Sequence, residues 1–573
     1  MTQITTDEAV VSPSRRTPSA SLFTPIGWYS GAAIFAVMLV LRVIYAYHFR
    51  FDTDEPQHLH VVWGWANGHL QYRDIFDNHG PIFHLLCVPL FRVLGERPDI
   101  LISMRLAMIP LFGISLWCIY QIGTALHSRQ VGIWAAILCG FYPEFFLTSS
   151  EFRTDNLWTV LWLVALVTAV HVPFTAKRAF IVGLLLGAAF AVTVKTGLMV
   201  GSLGLTAAVI TGARWFGGKK PDWKFIGTRA CAGATGLIVV PSLVMLFFAS
   251  RGAFKEFIYC NISHNLVPRA QNWQQIDAHF LWFPIFAAIV LSVLRFIKFA
   301  TRDEVVIRRW YLVFTAGFYF SALKTFFPTL SRQDDLPVIP LASLVIVLCC
   351  YLAHRHLASR PRLQSTMAHG LFPLFLAAEI ITLVVTVPFW RNSTQRDIAM
   401  VGDVLRATEP KDFVMDATGE TIFRMRPFYY ALEAFTKVRM ERGLIRDEIA
   451  ESLISTRTAV VRLDGLTNAA QAFVRQNYAK TGNDLYMPGQ ALQHWNGPIP
   501  GSVSFEIAIP GRYAVVGSGD KEAIGKLDGT PLNGPRMLES GPHIFAREDK
   551  QTGTLYVFWD AALRRGFSPF KKH

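Results

Sequence analysis

The sequence has little charge for its length and few cysteines. Only 17% of its 573 residues are Asp, Glu, Lys or Arg, whereas a soluble protein carries roughly a quarter. The seven cysteines show no CxxC or zinc-like spacing, and several lie within apolar runs. The sequence therefore indicates neither an ordinary soluble protein, nor a disulfide framework, nor a cysteine metal site.

Long apolar runs, by contrast, recur through the first two-thirds of the chain. Each is long enough to cross a hydrocarbon layer of roughly 30 Å. The segment 82–94 is too short and polar-flanked to span comfortably, and we expect it in the membrane interface. The polar stretch 1–25 precedes the first run without a small-residue cleavage site, so we predict a retained span rather than a signal peptide. We predict about eleven spans, near residues 26–46, 99–126, 131–148, 156–172, 179–194, 197–213, 225–249, 279–297, 310–327, 335–353 and 370–389.

The basic residues alternate from one side of these spans to the other. With the N-terminal tail in the cytoplasm, most Lys and Arg of the loops fall on the cytoplasmic side, as the positive-inside rule requires. The formal net charge of +14 comes largely from these short loops and does not indicate nucleic-acid binding. The outer face then carries the loops 48–97 and 250–278, the turns 149–155 and 328–334, Lys195, and the tail after Trp390.

The tail, residues 391–573, has the composition of a soluble domain. We predict an α/β fold followed by a small β-rich module, because strand-like and helical patterns give way to short alternating runs between Gly and Pro turns. The strand-like segments are 412–416, 458–464, 503–509, 512–516 and 554–559, and the helical patterns are near 427–455 and 466–478. The fold class is therefore an α-helical polytopic membrane domain, residues 26–390, with an extracytoplasmic soluble domain behind it.

An acidic pair, Asp54 and Glu55, lies at the outer end of the first span. Charge placed this close to lipid is costly, which makes the pair a candidate for a functional site. Alternatively, Asp54 caps a helix that begins at Pro56, and the two roles are compatible. We expect residues 59–70, where tryptophans alternate with polar residues, to form a helix lying in the membrane interface.

Other polar groups on the same face could hold a phosphate or a metal. Each has an ordinary alternative: a solvated turn, a helix cap, or a lysine that snorkels toward water. Together they place acidic sites, hydrogen-bond donors and a histidine at one membrane level, which suits a phosphate headgroup whose lipid tail stays between the spans. These groups are Arg73, Asp77, His79, Asp155, Lys195, His264 and Arg332.

The first outer loop resembles that of the GT-C glycosyltransferases. Residues 54–59 (DEPQHL), 66–77 (ANGHLQYRDIFD) and Gly80-Pro81 are similar to the bacterial protein mannosyltransferase-like group, which includes the aminoarabinose transferases acting on lipid A. The resemblance covers roughly residues 26–390. Three shorter matches follow the loop: Arg153-Thr154-Asp155 resembles the second acidic motif, Lys195-Thr196-Gly197 the lysine motif, and residues 336–341 the late Leu-Pro motif.

This resemblance implies an enzyme of the bacterial inner membrane that uses a polyprenyl-phosphate sugar donor. It would transfer the sugar with inversion, on the extracytoplasmic side, to a hydroxyl of a lipid, polysaccharide or protein acceptor. The implied site has Asp54 as general base and Glu55 or Asp155 as stabilisers of oxocarbenium-like charge. The implied phosphate-binding residues are Lys195, His79, Arg73 and Arg332, and the implied ligands of a divalent metal ion are Asp77 and His264.

The chain departs from the aminoarabinose transferases after Asp77, where Asn78-His79-Gly80 replaces a lysine, and this argues against a lipid A-type substrate. Two other classes of function stay open. A transporter or flippase of lipid-linked sugars would also need polar residues among its spans, although we see no repeat with paired broken spans. A non-catalytic sugar-binding scaffold would work through the β-rich tail.

Overall fold

The membrane domain is a bundle of helices. The computed structural model describes residues 28–266, 292, 304–326, 331–356, 370, 372–495, 501–548 and 553–570. Its helices are α1 (Trp28–His48), α2 (Asp54–Ala66), α3 (Ile82–Leu94), α4 (Ile100–Leu106), α5 (Ile109–Leu126), α6 (Arg129–Phe141), α7 (Pro143–Thr148), α8 (Thr154–Val170), α9 (Ala176–Phe190), α10 (Thr196–Phe216), α11 (Trp223–Ser250), α12 (Phe254–Ile258), α13 (Glu304–Phe326), α14 (Ile339–His356) and α15 (Phe372–Thr386).

These helices bear out the predicted spans. Within the described ranges, four helical stretches are long and apolar enough to cross a membrane by length and composition: Tyr29–His48, Ile100–Leu126, Thr196–Phe216 and Trp223–Ser250. Every other expected span also contains a helix except 279–297, which lies outside the described residues apart from Ser292. The expected span 131–148 is divided between α6 and α7, because Pro143 cannot continue the first helix.

Glycines let two of the spans approach closely. A Cβ atom placed on Gly183 of α9 would lie 2.0 Å from the carbonyl oxygen of Gly233 on α11, and one on Gly236 would lie 2.2 Å from the carbonyl oxygen of Phe180. Small residues that bring backbones together are the usual means of helix association in lipid. The helix α9, which precedes the turn that carries Lys195, therefore packs backbone against backbone on α11.

The helix α2 is buried within the protein, although its mixed polar and aromatic pattern predicts a helix lying in the membrane interface. Its residues from Glu55 to Gly64 are buried, against α3 and α4 and, at His60, against the C-terminal domain. His60 Nδ1 lies 2.7 Å from the carbonyl oxygen of Ile422, and a Cβ atom on Gly419 would come within 3.2 Å of His60 Cβ. The backbone of Gly419, with φ of +112°, is thus packed directly on α2.

The C-terminal domain contains the predicted mixture of helices and strands. Its helices are α16 (Gln395–Ala407), α17 (Ala434–Glu441), α18 (Ile449–Ser455), α19 (Asn468–Asn477) and α20 (Asp560–Arg564). Its strands are β1 (Val414–Met415), β2 (Val460–Arg462), β3 (Tyr478–Gly482), β4 (Leu485–Trp495), β5 (Gly501–Ile507), β6 (Gly511–Gly517), β7 (Lys521–Glu522), β8 (Gly525–Leu527), β9 (Thr530–Pro531), β10 (Arg536–Leu538), β11 (Gly541–Arg547) and β12 (Gly553–Trp559).

The strands form two sheets. The larger sheet has the order β1-β2-β4-β12-β6-β10, with β3 beside β4 and β7 beside β6, and the smaller sheet has the order β5-β11-β8-β9. The strands β1 and β2 pair in parallel, and the other pairs of these strands are antiparallel.

Candidate active site

Asp54 opens α2 and points its carboxylate away from the helix backbone. The helix begins at Asp54 itself rather than at Pro56, so Asp54 is not the N-cap. The capping contact comes from Asp52, whose Oδ1 accepts a hydrogen bond from the Asp54 N–H over 3.3 Å. A carboxylate in the first turn is favoured by the partial positive charge of the helix N-terminus. The side chain of Asp54 thus remains available for contacts outside its own helix.

Arg153 is the centre of an ion-pair cluster at the starts of α2 and α8. Its Nη2 donates to Asp54 Oδ2 over 2.5 Å and its Nη1 to Asp52 Oδ1 over 2.6 Å. Its Nε lies 3.5 Å from Asp155 Oδ2. The side chain is only 2% exposed, and a buried guanidinium needs such partners for its charge. One arginine therefore joins the start of α2 to the start of α8.

The carboxylate of Asp54 is ionised and accessible. Burial alone would raise the pKa of Asp54, but the charges of Arg153 and His79 hold it below its ordinary value. The side chain is 30% exposed, and no described residue forms a hydrogen bond with its second oxygen, Oδ1. An ionised carboxylate with one open oxygen can accept a proton from a hydroxyl group that approaches it.

Lys195 lies next to this cluster, between α9 and α10. Its Nζ forms an ion pair with Asp334 and lies 3.9 Å from Asp155 Oδ1. Burial would lower the pKa of Lys195, yet the charges of Asp334 and Asp155 raise it above its ordinary value. Asp334 is held in place by Ser331, whose N–H and Oγ both donate to Asp334 Oδ2. The lysine is therefore a fixed positive charge rather than a side chain that snorkels toward water.

Glu55 faces the protein interior, unlike its neighbour Asp54. It is fully buried, and Arg105 of α4 binds both of its carboxylate oxygens. The same carboxylate accepts hydrogen bonds from two backbone N–H groups, that of Asp52 to Oε1 and that of Phe152 to Oε2, each over 2.8 Å. The structure thus places Glu55 where it ties α2, α4 and the turn before α8 together.

Asp77 lies at the centre of a second buried cluster, formed by the first outer loop and its two helices. His79 Nδ1 is 3.0 Å from Asp77 Oδ1, and His84 Nδ1 is 3.5 Å from Asp77 Oδ2. His84 Nε2 lies 3.1 Å from His58 Nδ1. Burial alone would lower the pKa of His79, but the adjacent Asp77 raises it above its ordinary value. One atom each from His58, Asp77 and His84 lies within 4.8 Å of the others, a donor set that fits a divalent metal.

His264 does not belong to this donor set. Its Nε2 lies 2.8 Å from Glu433 Oε1 of the C-terminal domain, and its ring packs edge-on against Phe76. The group of three potential ligands found within the described ranges contains His58 and His84 beside Asp77 instead. The pair Asp77 and His264 that the sequence resemblance implies as metal ligands stays a prediction, since His264 Nδ1 is buried without a hydrogen-bond partner among the described residues.

Among the described residues, the two other expected phosphate ligands form no ion pair with this cluster. Arg73 is half-exposed and forms an ion pair with its neighbour Asp74. Arg332 is exposed, and within the part of the chain that the structure describes no ion pair holds it. His79, by contrast, lies close enough to Asp54 for its charge to lower the pKa of that carboxylate.

Gly80 brings the loop that carries His79 against the turn that carries Lys195. Its N–H donates to the carbonyl oxygen of Val192 over 2.9 Å, and a Cβ atom at this position would lie 2.0 Å from the carbonyl oxygen of Ala191. Only glycine permits so close an approach. Glycine at position 80 thus has a structural reason.

The sequence analysis assigned no role to several residues of the site. Arg153 and Asp334 lie in short polar turns, and His58, His84 and Arg105 lie within helices. Arg153 could have been singled out from the sequence, because it is a basic residue on the predicted extracytoplasmic side, where basic residues are few. His58 follows Asp54 by four residues and so lies on the same face of α2.

Comparisons with known proteins agree with the helical membrane architecture. No protein-family model matches the sequence, and no curated protein matches it significantly. The crystal structure of ArnT from Cupriavidus metallidurans in the apo state aligns with a TM-score of 0.50 and 12% identity, covering 75% of this chain and 92% of that chain.

Two further solved structures align with lower scores. ArnT from Cupriavidus metallidurans bound to undecaprenyl phosphate has a TM-score of 0.47 and 13% identity, over 73% of this chain and 89% of that one. The oligosaccharyltransferase from Archaeoglobus fulgidus in the apo form has a TM-score of 0.44 and 11% identity, over 90% and 76%. The likeness to apo ArnT shows that this chain shares the fold of that structure.

Proposed function

We propose that this GT-C-type membrane protein is a glycosyltransferase that moves a sugar from a polyprenyl-phosphate donor to an acceptor hydroxyl. The observation that carries the proposal is the cluster in which Arg153 joins Asp54 to Asp155, with Lys195 3.9 Å from Asp155. Charged groups concentrated at the ends of apolar helices mark functional sites in membrane proteins. A lipid tail between the spans would hold the headgroup at this level.

Asp54 is the proposed general base. Its open oxygen takes the proton of the acceptor hydroxyl while the acceptor oxygen bonds to the anomeric carbon of the sugar. The bond from that carbon to the phosphate oxygen breaks, and polyprenyl phosphate leaves with the electron pair. Attack on the face opposite the phosphate inverts the anomeric configuration. Proton transfer to a well-placed carboxylate contributes a factor of roughly 10²–10⁴ to such a reaction.

Asp155 and Lys195 are the proposed electrostatic partners of the donor. As the anomeric bond breaks, positive charge develops on the sugar, and the carboxylate of Asp155 stabilises it. Negative charge gathers on the leaving phosphate, and the ammonium of Lys195, helped by His79, stabilises that charge. We assign Glu55 to positioning, because Arg105 and two backbone N–H groups occupy its carboxylate.

The acceptor is proposed to approach from the C-terminal domain, on the extracytoplasmic side of the bacterial inner membrane. A cavity of about 120 Å³ lies between that domain and the start of α2. Asp52 and Thr53 line it from the loop, and Glu420 and Arg462 line it from the C-terminal domain. Since Asp52 and Asp54 share Arg153, a polar group bound in this cavity would be adjacent to the proposed base.

The test is sugar transfer by the purified chain. Labelled polyprenyl-phosphate sugars are incubated with the protein and a membrane extract, and the labelled product is identified. We expect Asp54→Asn to abolish transfer while donor binding persists, and Asp74→Asn, on the same loop, to behave as wild type. Full transfer by Asp54→Asn would overturn the base assignment. Flux of the labelled donor across vesicles without any covalent product would instead identify a transporter.

A further inference from the structure

We propose that His58, Asp77 and His84 form a zinc-binding site that binds α2, the first outer loop and α3 to one another. His58 lies on α2, His84 lies on α3, and Asp77 lies on the loop between these helices. All three side chains are fully buried. The inference stands on the geometry of these three residues and does not depend on the sugar-transfer reaction.

The spacing of the donor atoms suits a small divalent ion. One ligand atom from each of the three residues lies within 4.8 Å of the other two. Bonds of about 2.1 Å in a tetrahedral zinc site place neighbouring ligand atoms roughly 3.4 Å apart. His84 lies between the other two residues, with its Nε2 3.1 Å from His58 Nδ1 and its Nδ1 3.5 Å from Asp77 Oδ2. Only one of these two nitrogens of His84 can bind the ion, so zinc would replace one of the two contacts.

An unsatisfied ring nitrogen also points to a ligand. His58 Nε2 is buried without a hydrogen-bond partner among the described residues, and a buried polar atom normally has one. The neutral imidazole of a histidine is a common metal ligand. Two imidazoles and one carboxylate favour zinc over calcium or magnesium, which prefer oxygen ligands alone.

Two neighbouring residues would orient the carboxylate ligand. Gln71 Nε2 donates to Asp77 Oδ2 over 2.6 Å, and His79 Nδ1 lies 3.0 Å from Asp77 Oδ1. Outer contacts of this kind fix the direction of a ligand and raise metal affinity. Because His58 lies one helical turn after Asp54 on α2, the ion would also fix the orientation of the helix that presents the proposed base.

Metal content tests the inference directly. The full-length chain is purified in detergent, treated with a chelator, exposed to Zn²⁺, and measured for bound zinc. We expect about one zinc per chain, with a loss of affinity of tenfold or more in His58→Asn and in His84→Asn. The matched controls are His60→Asn, a buried histidine of the same helix, and His264→Asn, and both should keep their zinc.

X-ray absorption at the zinc edge of the wild-type chain removes any dependence on variants that fold poorly. We expect imidazole scattering, nitrogen and oxygen ligands, and no sulfur. A wild-type chain that binds no zinc overturns the inference, as does a zinc spectrum without imidazole. Loss of zinc in His264→Asn together with its retention in His84→Asn would also overturn it. The zinc measurements and the sugar-transfer assay test different proposals, so failure of one does not decide the other.

Discussion

Arg153 Nη2 donates to Asp54 Oδ2 over 2.5 Å, although the two residues are 99 positions apart in the chain. The contact locks the carboxylate that opens α2 against the turn that precedes α8. It also keeps Asp54 ionised, because the guanidinium charge lowers the pKa of that carboxylate despite its partial burial. A proposed base is therefore held both in position and in the protonation state that accepts a proton.

We expect Arg153→Gln to reduce sugar transfer by roughly 10²-fold or more, as the loss of a preorganised charged donor does in other active sites. The substitution leaves the carboxylates of Asp52, Asp54 and Asp155 without their shared cation, so the pKa of Asp54 rises. Because Asp54 acts as a base only when ionised, the acidic limb of the pH–rate profile for kcat/KM should move to higher pH. The profile is measured with a labelled polyprenyl-phosphate sugar.

Two variants control this prediction. Arg153→Lys keeps the charge but not the forked geometry that joins two carboxylates, so its activity should lie between those of wild type and Arg153→Gln. Arg73→Gln removes an exposed arginine whose partner is its neighbour Asp74, and it should change nothing. An unchanged acidic limb in Arg153→Gln would contradict the link between Arg153 and Asp54.

Lys195 and Asp334 form a second buried pair, and the lysine is the residue proposed to meet the donor phosphate. We expect Lys195→Met to lower kcat/KM for the donor by roughly 10²–10³-fold, because developing negative charge on the leaving phosphate loses its cation. Asp334→Asn should have a smaller effect, since the lysine keeps its charge but loses an anchor. Steady-state kinetics with varied donor concentration measures both.

Asp335→Asn is the matched control for Asp334. This neighbouring aspartate forms an ion pair with Lys324, at 2.9 Å and 3.0 Å, rather than with Lys195. Its substitution should leave donor kinetics near the wild-type values. Equal losses in Asp334→Asn and Asp335→Asn would show that the turn, and not the contact with Lys195, determines the effect.

We expect substitution of Glu55 to lower the stability of the protein rather than its affinity for the donor. Breaking a buried, hydrogen-bonded ion pair by neutralising one partner costs about 3–5 kcal/mol, and Glu55→Gln leaves Arg105 buried without its counter-charge. We expect a marked fall in the midpoint of thermal unfolding in detergent. The fraction that remains folded should bind the donor with wild-type affinity. Wild-type stability combined with abolished transfer would instead make Glu55 a participant in the chemistry.

The contrast between Asp54 and Glu55 shows how far the sequence predicts this site. Hydropathy and the alternation of basic loops predict which side of the membrane each polar residue occupies, and this is enough to group Asp54, Asp155 and Lys195. Two consecutive acidic residues of a helix, however, point about 100° apart. Which of them meets Arg153 and which meets Arg105 depends on how α2 packs against α4 and α8, and a local pattern does not contain that information.

The contacts of the histidines also could not be predicted from the sequence. His264 is a predicted metal ligand, and its Nε2 lies 2.8 Å from Glu433 Oε1 of the C-terminal domain, a contact that the sequence did not indicate. His58 and His84 carry no spacing signal, because they lie 26 residues apart on different helices. The soluble domain was predicted as α/β with a β-rich end, and the structure confirms this. Its coverage of α2 was not predictable, since it depends on contacts such as that of His60 with Ile422.

Glu420, at the boundary between the two domains, should make stability depend on pH. Burial, aided by the charge of Asp416, raises the pKa of Glu420 from its ordinary value of 4.5 to about 7. The folded chain therefore keeps a proton that the unfolded chain releases. The contribution of protonated Glu420 to the free energy of unfolding is fully present below about pH 4.5. It falls as the pH rises toward about 7 and is absent above that pH.

Glu420→Gln keeps the neutral form at every pH, so it should stabilise the chain at pH 8 relative to wild type, by up to about 3 kcal/mol. At pH 4.5 the difference should largely disappear, because both chains then have an uncharged side chain at this position. Thermal unfolding in detergent at the two pH values measures it. Glu448→Gln, at an exposed position of the same domain, is the control and should show no such dependence. A gain of equal size at both pH values would mean that the amide packs better than the acid, and that ionisation of Glu420 is not what destabilises the domain boundary.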